Sequence, residues 1–373
     1  MADNKFIHLA QPGVRTLQPY QGGKPVEELE RELGIKEAVK LASNENPLGP
    51  GPMAVSAVTK ALAGISRYPD GNGFRLKHRL AEMLQVEADQ ITLGNGSNDV
   101  LELIARAFAG PGHEIVFSQH AFAVYPIVTQ AVGAKAVIVQ AKNWGNDLNA
   151  VLKAITVATR IVFIANPNNP TGTWLAQSEL EEFLTKVPDN VIVVLDEAYF
   201  EYASHPAMQA TGYPDGVTLL QRFPNLIVTR TFSKAYGLAG LRIGYGIANP
   251  EITDVLNRVR QPFNVNSLAL TAAELALDDT QHLDKSISLN IAGMQQIVEG
   301  CKSMSLSHIP SIGNFVCVEV GQSASSVYNE LLKKGIIVRP VANYEMPQHL
   351  RITIGTETEN QLALAALQAV LKA

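Results

Sequence analysis

Short, nearly continuous runs of aliphatic and β-branched residues recur along this chain, and they constrain its fold more than any other feature. The clearest are QITLG (90–94), EIVFS (114–118), RIVFIAN (160–166), VIVVLD (191–196) and LIVTRTF (226–232). They show little polar–apolar alternation, as expected of strands whose sheet is covered by helices on both faces. Amphipathic segments such as SELEEFLTKV lie between several of them and predict those helices. The pattern therefore predicts an α/β fold with a mostly parallel sheet.

Two further runs refine this prediction. AKAVIVQ (134–140) is strand-like and adds to the sheet. RIGYGIA (242–248) follows LIVTRTF after too few residues for a helical crossover. Because parallel neighbours need such a crossover, we expect one of these two strands to be antiparallel.

Changes in residue composition and in the pattern of apolar residues predict that the chain has three parts. Residues 1–48 are rich in proline, glycine and asparagine, and they are expected to form an arm that contributes to the small domain and the active site. Residues 49–265 carry the strand pattern described above and form the large domain. Residues 266–373 combine long helical stretches with the strands NFVCVEV, IIVRPV and HLRITIG, which predicts a smaller α+β domain.

Composition excludes several classes of protein. The 373 residues carry a net charge of −5, which argues against a nucleic-acid footprint. No apolar run is long enough to span a bilayer, and the start of the chain lacks the apolar core of a signal peptide. The two cysteines, Cys301 and Cys317, are too few for a disulfide framework, and the histidines show no metal-ligand spacing. We expect a soluble cytoplasmic protein whose cysteines pack in the core and which holds no metal.

Polar residues follow the predicted strands where ligands bind in open α/β sheets, beyond the carboxyl ends of the strands. QITLG leads into GNGSND, where a helix beginning after a glycine turn can hold a phosphate through its N–H groups, although a simple helix cap is the alternative. RIVFIAN leads into NPNNPTG (166–172), whose prolines stiffen a turn that presents Asn168 and Asn169.

A carboxylate and two cations are further candidate site residues near the strand ends. Asp196 directly follows five apolar residues, so its burial requires a hydrogen-bond donor or a cation, either from an ordinary salt bridge or from a cationic ring of a ligand. Lys234 and Arg242 lie between Thr229 and Gly246, a stretch without acidic residues. A desolvated lysine can attack a carbonyl, and the fork of an arginine matches a phosphate. The alternative is two cations exposed on a loop.

One ligand has groups that match all of these residues. Pyridoxal 5′-phosphate offers a carbonyl for Lys234, a pyridine nitrogen for Asp196, a phenolic oxygen for Asn169 and Tyr199, and a phosphate for the remaining donors. The phosphate donors are Gly96, Ser97, Asn98, Thr231, Ser233 and Arg242. The sequence therefore predicts a site for this cofactor.

The motifs NPNNPTG, LDEAY and TFSKAYGLAGLRIGY, in this order, resemble those of the fold-type I pyridoxal-phosphate aminotransferases of the class I/II superfamily. LASNENPLGP (41–50) and ISRYPDG (65–71) are similar to motifs of its histidinol-phosphate branch. The resemblance spans the chain from LQPYQGG (17–23) to LRITIGT (350–356).

The resemblance also implies roles for residues. Lys234 binds the cofactor's aldehyde and moves a proton at the substrate, Asp196 pairs with the ring nitrogen, and Tyr199 and Asn169 contact the phenolic oxygen. Tyr68 reaches the phosphate of a neighbouring subunit, which implies a homodimer with shared active sites. Phe122 stacks on the cofactor at a position where many relatives have tyrosine. The residues expected at the substrate are Arg351, Arg339, Tyr20 and Asn44.

The activity implied by the resemblance is reversible transamination of L-histidinol phosphate with 2-oxoglutarate, a step of histidine biosynthesis. An aromatic amino acid aminotransferase and a threonine-phosphate decarboxylase carry similar motifs and are the nearest alternatives. A non-catalytic regulator on the same scaffold is a further alternative, but no basic helix pair for DNA is visible.

Overall fold

The structure is a computed structural model that describes residues 5–19, 22–208, 210 and 212–372. The strands are β1 (Val39–Lys40), β2 (Ile91–Gly94), β3 (Glu114–Ser118), β4 (Lys135–Val139), β5 (Thr159–Ala165), β6 (Ile192–Asp196), β7 (Leu226–Thr231), β8 (Gly244–Ala248), β9 (His308–Ile309), β10 (Phe315–Glu319), β11 (Ile336–Ile337), β12 (Arg339–Pro340) and β13 (His349–Thr353). The α-helices are α1 (Pro12–Arg15), α2 (Val26–Leu33), α3 (Pro52–Ala61), α4 (Phe74–Leu84), α5 (Ser97–Phe108), α6 (Val124–Ala131), α7 (Leu148–Ala154), α8 (Gln177–Leu184), α9 (Phe200–Ala203), α10 (Pro250–Val259), α11 (Ser267–Ala276), α12 (Thr280–Ser303), α13 (Ala324–Lys333) and α14 (Glu357–Leu371).

A seven-stranded sheet in the order β2-β8-β7-β6-β5-β3-β4 forms the centre of the molecule. The strands β4, β3, β5, β6 and β7 pair in parallel, whereas β8 is antiparallel to both β7 and β2. The predicted α/β fold and the predicted antiparallel strand after LIVTRTF are both confirmed. Two buried apolar clusters cover the sheet, one containing Leu195 and Val228 and the other containing Val194 and Ile227. This division follows from strand geometry, because successive side chains point to opposite faces.

A second sheet, in the order β12-β13-β10-β9, is antiparallel. The predicted runs NFVCVEV and HLRITIG form β10 and β13 of this sheet, whereas IIVRPV is divided between β11, outside this sheet, and β12. Helices α12, α13 and α14 contribute to its core, with Ile297, Val327 and Leu367 all buried. Both cysteines are buried and free, and the thiol of Cys317 lies 2.9 Å from the carbonyl of Pro170.

The segment before residue 48 contains more regular structure than its proline and glycine content indicates. VEELEREL forms helix α2, which buries Leu29 and ends at Gly34 with φ +64°. Strand β1 pairs in parallel with β11 in a separate two-stranded sheet, and this pairing ties the segment to the part of the chain after residue 266. Val26, Leu29 and Leu33 have helical spacing, so the sequence does carry a signal for this helix, which the surrounding prolines and glycines obscure.

The division into an arm, a large domain and a small domain stays a proposal. Helix α11 begins just after the proposed boundary at residue 265, and it packs against α3 and α4 of the first half of the chain. Among the described residues, no helix combines the length and apolar character needed to cross a membrane.

Candidate active site

A cleft of about 220 Å³ lies where β5, β6 and β7 end and α5 begins. The side chains that line it include ten of those singled out from the sequence, namely Ser97, Asn98, Phe122, Asn169, Asp196, Tyr199, Thr231, Ser233, Lys234 and Arg242. These residues come from distant parts of the chain. The parallel strands bring them together because their carboxyl ends share one edge of the sheet.

The carboxylate of Asp196 is held by two hydroxyl donors at the end of β6. Tyr125 donates to Oδ2 at 2.8 Å, and Thr229 donates to Oδ1 at 3.0 Å. Burial raises the pKa of Asp196 above its ordinary value, while both hydrogen bonds and the nearby Lys234 act in the opposite direction. Asp196 therefore faces the cleft with its lone pairs only partly used, an arrangement suited to a cationic ligand group.

The salt bridge that Asp196 could have formed is made instead by its neighbour. Glu197 points to the other side of the sheet, where its Oε2 accepts from Nε and Nη2 of Arg230 at 2.9 and 2.7 Å. Both side chains are almost fully buried. Since Thr229 and Arg230 alternate along β7 in the same way, the two strands place Asp196 and Thr229 on the cleft side and the Glu197–Arg230 ion pair on the other side. Arg230 also pairs there with Asp215 at 2.6 Å.

Lys234 brings its amine to the cleft beside the aromatic ring of Tyr199. Its Nζ donates to the carbonyl of Ser43 at 3.1 Å and lies 5.7 Å from the centre of that ring. Burial lowers the pKa of Lys234 to about 7, and the positive charge of Arg351 contributes to this shift. A lysine with this pKa is substantially deprotonated at neutral pH, so it can attack a carbonyl.

The hydroxyl of Tyr199 receives two amide donors. Nδ2 of Asn44 lies 2.9 Å from the phenol oxygen, and Nδ2 of Asn169 lies 3.0 Å from it. Burial raises the pKa of Tyr199 to about 12, with Arg351 opposing the shift. Because the oxygen accepts from both amides, the phenol proton remains available for an acceptor in the cleft.

The opposite end of the cleft is built for an anion. Gly96 has φ +85° immediately before α5, and a Cβ there would come within 3.0 Å of Nη2 of Arg242. A Cβ on Gly244 would come equally close to the backbone nitrogen of Ser97. Two glycines thus let a helix N-terminus, a strand and a guanidinium approach one another. The hydroxyls of Thr231 and Ser233 lie 3.0 Å apart beside them.

Arg242 is exposed at this end of the cleft, and its Nη1 donates to the carbonyl of Ala239 at 3.1 Å. Within the described residues, neither Arg242 nor Lys234 forms an ion pair with a carboxylate. Both cations therefore remain available to a ligand, as their sequence surroundings predict.

Arg351 approaches from strand β13. Its Nη1 donates to Oδ1 of Asn169 at 2.7 Å, and its Nη2 donates to the carbonyl of Ala42 at 2.6 Å. Its Nε is buried without a hydrogen-bond partner among the described residues. Because a buried donor without a partner is costly, this atom is suited to an additional acceptor from a ligand.

Two other predicted residues, Arg339 and Tyr68, are not among those that line this cleft. Arg339 is the β-sheet partner of Arg351 and lines a second cleft of about 730 Å³ together with residues 18, 19, 22 and 23. Phe122 lies edge-on to Tyr125, with ring centres 5.9 Å apart. Tyr68 is exposed and stacks on Phe263 with ring centres 4.8 Å apart. Tyr20 lies outside the described residues.

Three contributors to the site were not predicted from the sequence, namely Tyr125, Thr229 and Ser43. Tyr125 lies three residues after Phe122, which is helical spacing, and Thr229 lies two residues before Thr231, which is the spacing of one strand face. These spacings could have indicated both residues. Ser43 contributes only a backbone carbonyl, which leaves no signal in a sequence.

Comparisons with known proteins agree with this geometry. A family model described as aminotransferase class I and II matches residues 36–367. The chain is 62% identical to histidinol-phosphate aminotransferase 2 of Pseudomonas fluorescens and 59% identical to that of Pseudomonas aeruginosa, in each case over 98% of both proteins. Among solved structures, it is similar to histidinol-phosphate aminotransferase from Sinorhizobium meliloti in complex with pyridoxal-5′-phosphate. That match has a TM-score of 0.90 and 30% identity, and it covers 100% of this chain and 98% of the other.

Proposed function

This chain belongs to the aminotransferase class I and II family, and we propose that it is a pyridoxal-phosphate-dependent histidinol-phosphate aminotransferase. The reaction moves an amino group reversibly between L-histidinol phosphate and 2-oxoglutarate, which gives imidazole acetol phosphate and L-glutamate. The relatives that carry this name cover 98% of the chain at 62% and 59% identity, and this similarity supports the assignment.

The observation that carries the proposal is the shared cleft of Lys234, Asp196 and Arg242. An amine with a pKa of about 7, a buried carboxylate and an arginine without a salt bridge among the described residues meet there, each suited to a different group of one small ligand. Pyridoxal phosphate, when bound, draws electrons away from the reacting carbon of an amino substrate.

Different residues of the chain would hold different groups of this cofactor. Lys234 would hold the aldehyde end of the cofactor and would move the proton at the substrate's reacting carbon, for which a pKa near neutrality is suitable. Asp196 keeps the ring nitrogen protonated by charge pairing, and Tyr199 with Asn169 donates to the phenolic oxygen. The residues that hold the phosphate are Gly96, Ser97, Asn98, Thr231, Ser233 and Arg242. Phe122, which lines the cleft, would pack on the cofactor ring.

The substrate enters beside Arg351, whose Nε has no partner among the described residues. Arg351 binds the carboxylate of 2-oxoglutarate and the phosphate of histidinol phosphate in turn, since both are oxyanions that match its planar fork. Arg339, its neighbour across the β12–β13 pair, adds a second positive charge. Asn44, whose amide contacts Tyr199, would enclose the substrate from the N-terminal arm. The proposed role of Tyr20 falls outside the described residues.

We further propose a cytoplasmic homodimer in which Tyr68 contacts the cofactor phosphate of the partner subunit. Tyr68 is 84% exposed and Ile65 is 63% exposed, Leu62 and Phe74 are also exposed, and the exposed Phe263 stacks on Tyr68. An apolar surface of this kind marks an interaction site. A second copy of the chain would cover it and bring Tyr68 to the other cleft.

Replacement of Lys234 by Ala tests the proposal. Purified protein should lose both its yellow absorbance and its turnover, while the circular dichroism spectrum stays native. Turnover at the wild-type rate in this variant would refute the role of Lys234. Comparison of kcat/KM for histidinol phosphate and phenylalanine tests the substrate, and a strong preference for phenylalanine would refute that part of the proposal. Carbon dioxide release without keto-acid consumption would instead identify a decarboxylase.

A further inference from the structure

The loop that carries Tyr68 (residues 65–73) is held in place by the segment between α10 and α11 (residues 260–266). Arg260 directly follows α10, and its Nη1 donates to the carbonyl of Gly71 at 2.9 Å. Phe263 stacks on the ring of Tyr68 at 4.8 Å, with the two planes 23° apart. The segment thus contacts both the backbone of the loop and the side chain at its tip.

The same segment also contacts the phosphate end of the cleft. Arg260 Nη1 donates to Oδ1 of Asn264 at 2.9 Å, and Nδ2 of Asn264 donates to Oδ2 of Asp99 at 2.9 Å. Oδ2 of Asp99 also accepts from the backbone nitrogen of Asn95 at 2.8 Å. An unbroken series of hydrogen bonds therefore joins the Tyr68 loop to the turn before α5.

Within this segment, the backbone at Phe263 has a strained conformation. Phe263 has φ +56°, which is rare for a bulky residue and costs about 1–3 kcal/mol. Such a conformation persists only when surrounding contacts enforce it. Its ring is 45% exposed, so burial of Phe263 in the core does not account for it. The contact that the conformation does provide is the stack on Tyr68.

We infer that Arg260 is a positioning residue that holds Tyr68 in the orientation needed to meet the cofactor phosphate of the partner subunit. This inference rests on the proposed homodimer and on the proposed contact made by Tyr68. Arg260 is not among the residues that line the cleft. It acts by fixing the backbone at Gly71, three residues beyond Tyr68, and by tying that backbone through Asn264 to the phosphate turn of its own chain.

The contacts of two other charged residues, Asp70 and Arg258, support the choice of Arg260. Asp70 already caps α4 through the backbone nitrogens of Asn72 and Phe74, at 2.9 and 2.7 Å. That cap fixes the end of the loop nearest the helix, whereas Gly71 O is fixed by Arg260. Arg258, on the same helix, pairs with Asp254 on the exposed surface and so provides a matched control.

A double-mutant cycle on the affinity for pyridoxal phosphate tests the inference. The variants are Arg260→Ala, Tyr68→Phe and the combination, with Arg258→Ala as the control. Dissociation constants are measured by titrating purified apoprotein dimers with the cofactor and following its absorbance. Loss of a hydrogen bond to a phosphate predicts a rise in Kd of about 10-fold for Tyr68→Phe.

If Arg260 acts through Tyr68, Arg260→Ala raises Kd about 5- to 10-fold in the wild-type background and less than about 2-fold in the Tyr68→Phe background. Arg260→Lys, which retains one donor to Gly71, recovers part of the loss. Arg258→Ala leaves Kd unchanged. These four results together support the inference.

Other results overturn it in distinguishable ways. An equal rise of Kd in both backgrounds shows that Arg260 acts independently of Tyr68 and refutes the inference alone, as does a folded Arg260→Ala protein with wild-type Kd. An unchanged Kd for Tyr68→Phe refutes the proposed contact between subunits and the inference with it. If Arg260→Ala does not yield folded dimers, Arg260→Gln is measured through the same cycle and judged by the same criteria.

Discussion

Gly96 gives the sharpest prediction about the phosphate end of the cleft. It has φ +85° and ψ 163°, a conformation that is essentially restricted to glycine. A Cβ at this position would lie within 3.0 Å of Nη2 of Arg242, whereas ordinary contacts begin at 3.4 Å. In Gly96→Ala the guanidinium of Arg242 must therefore move away to make room for the new methyl group.

The expected effect has two parts. The backbone at position 96 would be strained once it carries a Cβ, which lowers the free energy of unfolding by about 1–3 kcal/mol. The displaced guanidinium of Arg242 would also lose at least one charged hydrogen bond to the phosphate, worth about 1.5–3 kcal/mol. We therefore expect the Kd for pyridoxal phosphate to rise about 10- to 100-fold, measured by titration of the apoprotein.

Gly112→Ala separates the two effects. Gly112 has φ +86°, and nothing lies within 4 Å of the Cβ that it would gain. This control should lose about 1–2 kcal/mol of stability through strain while its Kd stays at the wild-type value. If Gly96→Ala binds the cofactor as tightly as Gly112→Ala does, the assignment of Arg242 and the turn before α5 to the phosphate is wrong.

Three other predictions follow from the contacts of the site. Tyr125→Phe removes a 2.8 Å hydrogen bond from the buried Asp196, so the pKa of Asp196 rises further and cofactor affinity falls about 10-fold; unchanged affinity in a titration would contradict this. Since the pKa of Lys234 is about 7 in the folded apoprotein against an ordinary 10.5, the unfolded chain binds more protons between these values, and stability should rise with pH there. In denaturant titrations between pH 7 and pH 9, wild-type apoprotein should gain up to about 1.4 kcal/mol per pH unit over Lys234→Met, and parallel curves would exclude the shift. Ile65→Lys places a charge on the exposed apolar surface and should shift the protein to monomers in sedimentation velocity, whereas an unaltered dimer would place the interface elsewhere.

The strands and the residues that follow them could be predicted well from the sequence. Strand β6 is a run of apolar residues ending in Asp196, and β7 leads directly to Lys234, so local pattern alone assigns both residues to the same edge of the sheet. The antiparallel β8 was also predictable, because the length of chain after β7 rules out a helical crossover. Helix α2 was missed although Val26, Leu29 and Leu33 have helical spacing, because prolines and glycines surround this short segment.

Local sequence is enough to establish which side chains are presented at the strand ends, because the period of a strand and the placement of glycine and proline are local properties of the chain. The partners of these side chains, in contrast, are set by the folded molecule. The hydroxyl that holds Asp196 comes from a residue 71 positions away, and an amide that contacts Tyr199 comes from one 155 positions away. Arg230, adjacent in the chain to the cleft residue Thr229, pairs with Glu197 on the other face of the sheet. Such pairings depend on sheet register and on the packing of separate elements, and these arise only when the whole chain folds.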